Sequence, residues 1–243
     1  MKKLSVVGIG PGAESYMTLA CRAVLKSAEV IVGYSAYVDL VKPLFPEKTF
    51  FQTGMMKETE RCREALGLAS EGKTTAMICS GDAVVYGMAG LIYELLSSFP
   101  GVSVEVIPGV TAALSASAIL GAPLTNDFAV ISLSDLLTPA ETIRKRLDCA
   151  AAGDFCIALY NPSSRKRADY LAEACRIIRR YRTPETVCGY VQNIGREGEC
   201  FRILTLAELE TAETDMFTTV LIGNSQTRVI EGKMVTPRGY RIG

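Results

Sequence analysis

The chain contains no histidine, which removes imidazole from any catalytic triad, proton relay or metal site. Acid–base chemistry therefore falls to Asp, Glu, Tyr, Lys or a thiolate. Neither sign of charge is in excess: 26 lysines and arginines balance 26 aspartates and glutamates. That balance leaves no global field to draw in nucleic acid or an anionic membrane, so charge recognition has to be local. The eight cysteines never fall in a C-x-x-C pair. Scattered over segments that read as buried strands and helices, they are expected to be reduced core thiols and not zinc or iron–sulfur ligands. Long apolar runs are missing too. The stretch after Met1-Lys2-Lys3 stops at Gly8, too short for the core of a signal peptide. The uncharged span 106–126 is broken by Pro108, Gly109 and Pro123, which unsuits it to a bilayer. These absences point to a cytoplasmic protein with neither a membrane nor a nucleic acid as partner.

What is present is a chain of 243 residues, 49% hydrophobic, long enough for one large α/β domain or two smaller ones. Apolar runs of strand length at 4–9, 30–32, 74–79 and 102–107 alternate with helical patterns, which predicts a parallel sheet covered on both faces. Between them, Cys62, Ala65, Leu66 and Ala69 fall on one helical stripe opposite Lys57, Glu58, Arg61 and Glu64. A small-residue helix over 111–120 ends at Gly121, and 122–126 reads as a linker, dividing the chain into α/β domains 1–122 and 123–243. The second half is richer in strands, predicted at 129–133, 155–160, 186–191, 200–204 and 218–222.

Three tight turns follow strands of the first half. Gly8-Ile9-Gly10-Pro11-Gly12-Ala13 satisfies G-x-G-x-x-A, a weak dinucleotide signal. Against that reading, Pro11 lacks a backbone N–H for a pyrophosphate, and the second strand ends in Gly33-Tyr34 where a ribose hydroxyl needs an acid. Ser80-Gly81-Asp82-Ala83 has two readings: a plain turn with Asp82 as a cap, or a strand-tip carboxylate facing a ligand. Pro108-Gly109-Val110-Thr111-Ala112 is the third turn. Glycine loops at neighbouring strand ends suggest one ligand crevice. In the second half, Ser132, Ser134 and Asp135 either cap the entry to the helix around Ile143 or face a substrate, with Asp135 as proton acceptor. Arg165-Lys166-Arg167 puts positive charge where a helix should start, which either binds an anion or is a solvated basic face.

The three turns, in this order and spacing, resemble those of the tetrapyrrole (precorrin) methylases over essentially the whole chain. Thr53-Gly54-Met55 with Glu58 and Arg61, Tyr86-Gly87 after Asp82, Ser132 to Pro139, Tyr160-Asn161-Pro162 with Arg165, and Thr236-Pro237-Arg238-Gly239-Tyr240 are similar to the branch that methylates carbon 17 of a precorrin. Ala83 replaces the proline common in the wider family, a departure this branch shares. The resemblance implies a two-domain α/β methylase fold (class III S-adenosylmethionine methyltransferases) with mixed sheets covered by helices and a cleft between the domains. It implies S-adenosylmethionine as donor, no protein-bound metal, a homodimer, and methylation with macrocycle contraction in cobalamin biosynthesis. Donor-binding positions carried over are Gly10, Pro11, Ser80, Gly81, Asp82, Val85, Thr111, Ala112, Tyr160, Asn161, Ile194 and Thr218. Substrate positions are Arg61, Ser132, Ser134 and Arg165, the arginines as grips for acetate and propionate carboxylates. The alternatives are methylation of another precorrin carbon and a nicotinamide oxidoreductase.

Overall fold

The computed structural model describes residues 2–163 and 169–241. The chain forms two compact units, Met1–Ala112 and Ala113–Gly243. The division falls before the helix that the sequence placed in the first domain, because that helix packs within the second unit.

In the first unit, β1 (Lys3–Gly8), β2 (Val30–Tyr34), β3 (Thr49–Thr53), β4 (Thr75–Cys79) and β5 (Ser103–Ile107) form one sheet in the order β3-β2-β4-β1-β5. Every pairing is parallel. Alternate side chains serve two cores. Leu4, Val6, Val32 and Met77 pack with Cys62 and Leu66 of α3 (Glu58–Ser70) and with Ile92 of α4 (Ala89–Leu95). Val7, Ile31, Ala76 and Ile78 pack with Leu25 of α1 (Leu19–Ser27) and with Val38 of α2 (Ser35–Val41). Burial on both faces explains why these strands read as unbroken apolar runs. Strand β3 was not expected from the sequence. It is an edge strand with partly exposed Phe50 and Phe51, so its apolar pattern is diluted.

The second unit begins with α5 (Ala112–Leu120) and β6 (Gly121–Ala122). It continues with β7 (Phe128–Ser132), α6 (Ala140–Ala152), β8 (Cys156–Tyr160), α7 (Tyr170–Ile178), β9 (Val187–Gln192), β10 (Cys200–Thr205), α8 (Leu206–Leu209) and β11 (Thr218–Ile222). Its main sheet runs β10-β9-β11-β8-β7; only the β7–β8 pair is parallel. Helices α6, α7 and α8 cover one face through Ile143, Leu147, Leu171, Ile178 and Leu209. Gly189 in β9 leaves room for Leu120 of α5, since a Cβ there would lie 2.8 Å from Leu120 Cδ2.

The expected linker 122–126 is in part structured. β6 pairs with β13 (Lys233–Val235), which pairs in turn with β12 (Arg228–Ile230). Just beyond, buried Thr236 donates its Oγ1 hydrogen bond to the Pro123 carbonyl at 2.7 Å, and its N–H bonds to the Ala122 carbonyl at 3.1 Å. The motif residue Thr236 is thus a clasp. Local sequence could not reveal this pairing, because the two partners lie more than a hundred residues apart.

All eight cysteines are free; six are buried as expected, whereas Cys149 and Cys200 are exposed. Burial pushes the thiols of Cys21 and Cys79 up to about 11 and those of Cys62 and Cys175 up to about 12. Thiolate is the species that alkylates. Iodoacetamide at pH 8 should therefore label two cysteines in the native protein and all eight after denaturation, as mass spectrometry would count. Labelling at any of the buried six in the native state would contradict this packing. No helix among the described residues is long and apolar enough to cross a membrane.

Candidate active site

Because β4, β1 and β5 are adjacent and parallel, the turns that follow them emerge side by side on one edge of the first sheet. They are locked together by main chain. Gly10 N–H donates to the Gly81 carbonyl at 3.0 Å, and Gly81 N–H donates back to the Gly10 carbonyl at 2.7 Å. Both glycines have positive φ, +76° and +67°. The third turn presses even closer: a Cβ on Gly109 would sit 2.1 Å from the Gly81 carbonyl oxygen. Only glycine fits there. The result is a rim of closely packed strand-end turns, bare of side chains at Gly10 and Gly81 and continued by Pro11, Ser80, Thr111 and Ala112.

Asp82 binds the rim from beneath. One carboxylate oxygen accepts from the N–H groups of Val84 (2.8 Å) and Val85 (3.0 Å), and the other from Gly109 N–H (2.9 Å). Burial by itself would raise this carboxyl, but the N–H bonds from Gly109, Val85, Val84 and Ala83 outweigh it and hold the group below the usual carboxylate range. Of the two sequence readings, the cap describes these bonds, although α4 starts only at Ala89 and the capped turn is the loop itself. That loop turns Val84, Val85 and Tyr86 outward, with Tyr86 at φ 54°.

Arg61, expected as a substrate grip, has partners within its own unit. Its side chain is only 6% exposed. Nη1 donates to Thr53 Oγ1 at 2.6 Å and to the Gly54 carbonyl at 3.3 Å, Nη2 lies 3.6 Å from Glu58, and the guanidinium stands 5.9 Å over the Tyr34 ring. Its guanidinium is therefore engaged at the base of the loop that follows β3. Arg165, with Lys166 and Arg167, lies outside the described residues.

The second unit builds a rim of its own at the ends of β7, β8, β9 and the start of β11. Ser132 pairs with Tyr160, and Thr218 with Gln192. Asn161, at φ 54°, donates from Nδ2 to Ser132 Oγ at 2.9 Å, and Ser134 N–H reaches the same oxygen at 3.3 Å. The Tyr160 hydroxyl accepts the Ala113 N–H at 2.8 Å. Ile194 is buried in the loop after β9. Asp135, next to Ser134, lines a small pocket between α6 and α7 with Leu133, Ile143 and Tyr170, beside the Arg144–Glu173 ion pair (2.6 Å).

Sequence reasoning missed Asp215. It takes the Thr218 hydroxyl at 2.7 Å and the Phe217 N–H at 2.9 Å on one oxygen, and Gln192 Nε2 at 2.8 Å on the other. The Asp-x-x-Thr spacing of Asp215 and Thr218, the mark of a side-chain-capped turn, was the available signal. Arg196, stacked 5.1 Å over the Phe217 ring, was missed as well and carries no local motif. Among the described residues no cluster of acidic or thiol side chains could hold a metal ion.

The family profile of Tetrapyrrole (Corrin/Porphyrin) Methylases matches residues 3–210. A probable cobalt-factor III C(17)-methyltransferase of Salmonella typhimurium is 45% identical over 98% of this chain and 100% of its own length. The cobalt-factor III methyltransferase of Priestia megaterium is 44% identical over 98% of this chain, which spans only 45% of that longer protein. Among solved structures, the methyltransferase CobJ superposes with a TM-score of 0.89 at 35% identity, covering 96% of this chain and 99% of that one. Identity at this level, from end to end and with the same fold, establishes that the chain belongs to the tetrapyrrole (corrin/porphyrin) methylase family.

Proposed function

We propose that this protein methylates carbon 17 of precorrin-3B, or of its cobalt-bearing counterpart cobalt-factor III, with contraction of the macrocycle, during synthesis of the corrin ring of cobalamin. The observation that carries this reading is the end-to-end likeness to a cobalt-factor III C(17)-methyltransferase, joined to a sheet edge where glycine turns pack main chain on main chain. S-adenosylmethionine, when bound, supplies an electrophilic methyl group on a sulfonium. The rim suits such a donor in that the Gly81 turn packs at ordinary contact distance on the Thr111–Ala112 turn, 3.5 Å from a Gly81 Cβ to Thr111 Cα and 3.6 Å to Ala112 N, which brings main chain of two strand-end turns to one place.

In this reading the backbone at Gly10, Pro11, Ser80, Gly81, Thr111 and Ala112 holds the donor. Asp82 keeps those turns in register, and Val85 lends an apolar wall. In the second unit Tyr160, Asn161, Ile194 and Thr218 are the proposed donor positions, and Ser132 and Ser134 the proposed substrate positions. The protein's task is alignment and exclusion of water, since the donor already carries its leaving group. A cytoplasmic homodimer belongs to the same reading, and sedimentation equilibrium tests the dimer.

The deciding experiment is incubation with isotopically labelled S-adenosylmethionine and each tetrapyrrole in turn. Mass spectrometry should find one labelled methyl gained on one of the two, and the absorption spectrum should change as the ring contracts. Absence of transfer to both, or calorimetric binding of NAD without S-adenosylhomocysteine, would overturn the assignment.

A further inference from the structure

The loop 54–57, between β3 and α3, combines two features that a simple connection does not need. It displays two adjacent thioethers, Met55 at 54% and Met56 at 75% exposure, the latter at φ 63°. A side chain in that left-handed region is strained. Beneath it lies the buried Arg61 guanidinium, bonded to Thr53 on one side of the loop and to the Gly54 carbonyl within it. Desolvating a guanidinium is unfavourable unless its hydrogen bonds are met, so its place here is to hold the loop base in one conformation.

The loop's position gives it a task. In an all-parallel sheet every strand points its carboxyl end to the same edge, so 54–57 share an edge with Gly10 and Gly81. Only β2 separates β3 from β4, which at a strand spacing of about 4.8 Å sets the methionines roughly 10 Å along the edge from the Gly81 turn. That is the scale of a tetrapyrrole macrocycle next to its methyl donor. Thioethers are polarizable, flexible and apolar, and they pack well on conjugated rings. The Tyr34 ring at the end of β2, 5.1 Å from Tyr37 in an edge-on pair, lies 5.9 Å from the Arg61 guanidinium.

Resting on the methylase reading above, we infer that Met55 and Met56 form a platform for the conjugated face of the substrate. Arg61 is then a positioning residue that fixes the platform and makes no contact with substrate carboxylates. The test is steady-state kinetics with the tetrapyrrole varied at saturating donor. The double variant Met55→Ser/Met56→Ser should raise KM for the tetrapyrrole by about tenfold, with affinity for S-adenosylhomocysteine and the thermal midpoint at wild-type values. Arg61→Met should raise the same KM and also lower the thermal midpoint, and Arg61→Lys should recover part of both by restoring one hydrogen bond. If the double variant keeps the wild-type KM while Arg61→Met raises it, Arg61 contacts the substrate itself and the platform is refuted. If the double variant and Arg61→Met both keep it, neither role stands. Failure of the wild-type protein to methylate either tetrapyrrole is a different outcome and removes the functional reading together with this one.

Discussion

Gly81→Val is expected to weaken S-adenosylhomocysteine binding by at least about a hundredfold, or about 2.7 kcal/mol, and to abolish detectable methyl transfer. Two effects combine. At φ +67° a Cβ-bearing residue is strained by roughly 1–2 kcal/mol, which lowers stability but does not by itself block a ligand. The blocking comes from bulk. A Cβ fits at ordinary contact distance from Thr111 and Ala112, whereas the two methyls beyond it add bulk where the donor is proposed to lie. Gly81→Ala separates these effects, since it carries the strain without the methyls. Its thermal midpoint should fall by several degrees, while its donor affinity stays within about tenfold of wild type. Calorimetric titration of both variants reads the difference. A folded Val variant with wild-type affinity would place the donor away from this sheet edge.

Asp82→Asn should cost about 2–4 kcal/mol of stability, equivalent to a fall in thermal midpoint of roughly 5–15 °C for a chain of this size. Asparagine can still offer one oxygen to Val84 and Val85, but it turns an amide NH2 toward the N–H of Gly109, where a carboxylate oxygen now accepts. A donor then faces a donor in a buried place, and the turn after β5 loses its register on the turn after β4. The pH dependence has a definite sign. Because the folded carboxyl is held below its ordinary value, its contribution is fully present above the unfolded value of about 3.9 and is lost as pH falls through the lower folded value. Melting curves from pH 7 down to pH 3 should therefore show the gap between wild type and variant closing only at the acid end. A variant that melts with the wild type at neutral pH would show that Asp82 does not organise the rim.

The contrast between Asp82 and Arg61 marks how far the residues could be read by themselves. Both are charged side chains in conspicuous motifs, and both invited a ligand role. In the structure each satisfies its charge on its own surroundings, Asp82 with backbone N–H groups and Arg61 with Thr53, Gly54 and Glu58. The partner of a charged group depends on which chain segments fold over it. Gly109, the decisive partner of Asp82, arrives on a different strand. Ser132 is a milder case: its hydroxyl accepts from Asn161 and Ser134 within its own rim, partners that the sequence did not show.

Elements with a short-range cause were legible. Strands β1, β2, β4, β5, β7, β8, β9, β10 and β11 lie where the apolar runs put them, and α3 follows its stripe of Cys62, Ala65, Leu66 and Ala69. The strands missed, β3, β6, β12 and β13, are short or lie at a sheet edge, where half-exposed side chains blur the pattern. Through local backbone preference and apolar periodicity, the sequence alone determined the order of strands and helices, the glycine turns and the family they signal. Tertiary structure alone decided which turns meet, which charges are used up within the fold, and that Thr236 closes onto Pro123, because hydrogen-bond partners and burial are set by segments distant in the chain.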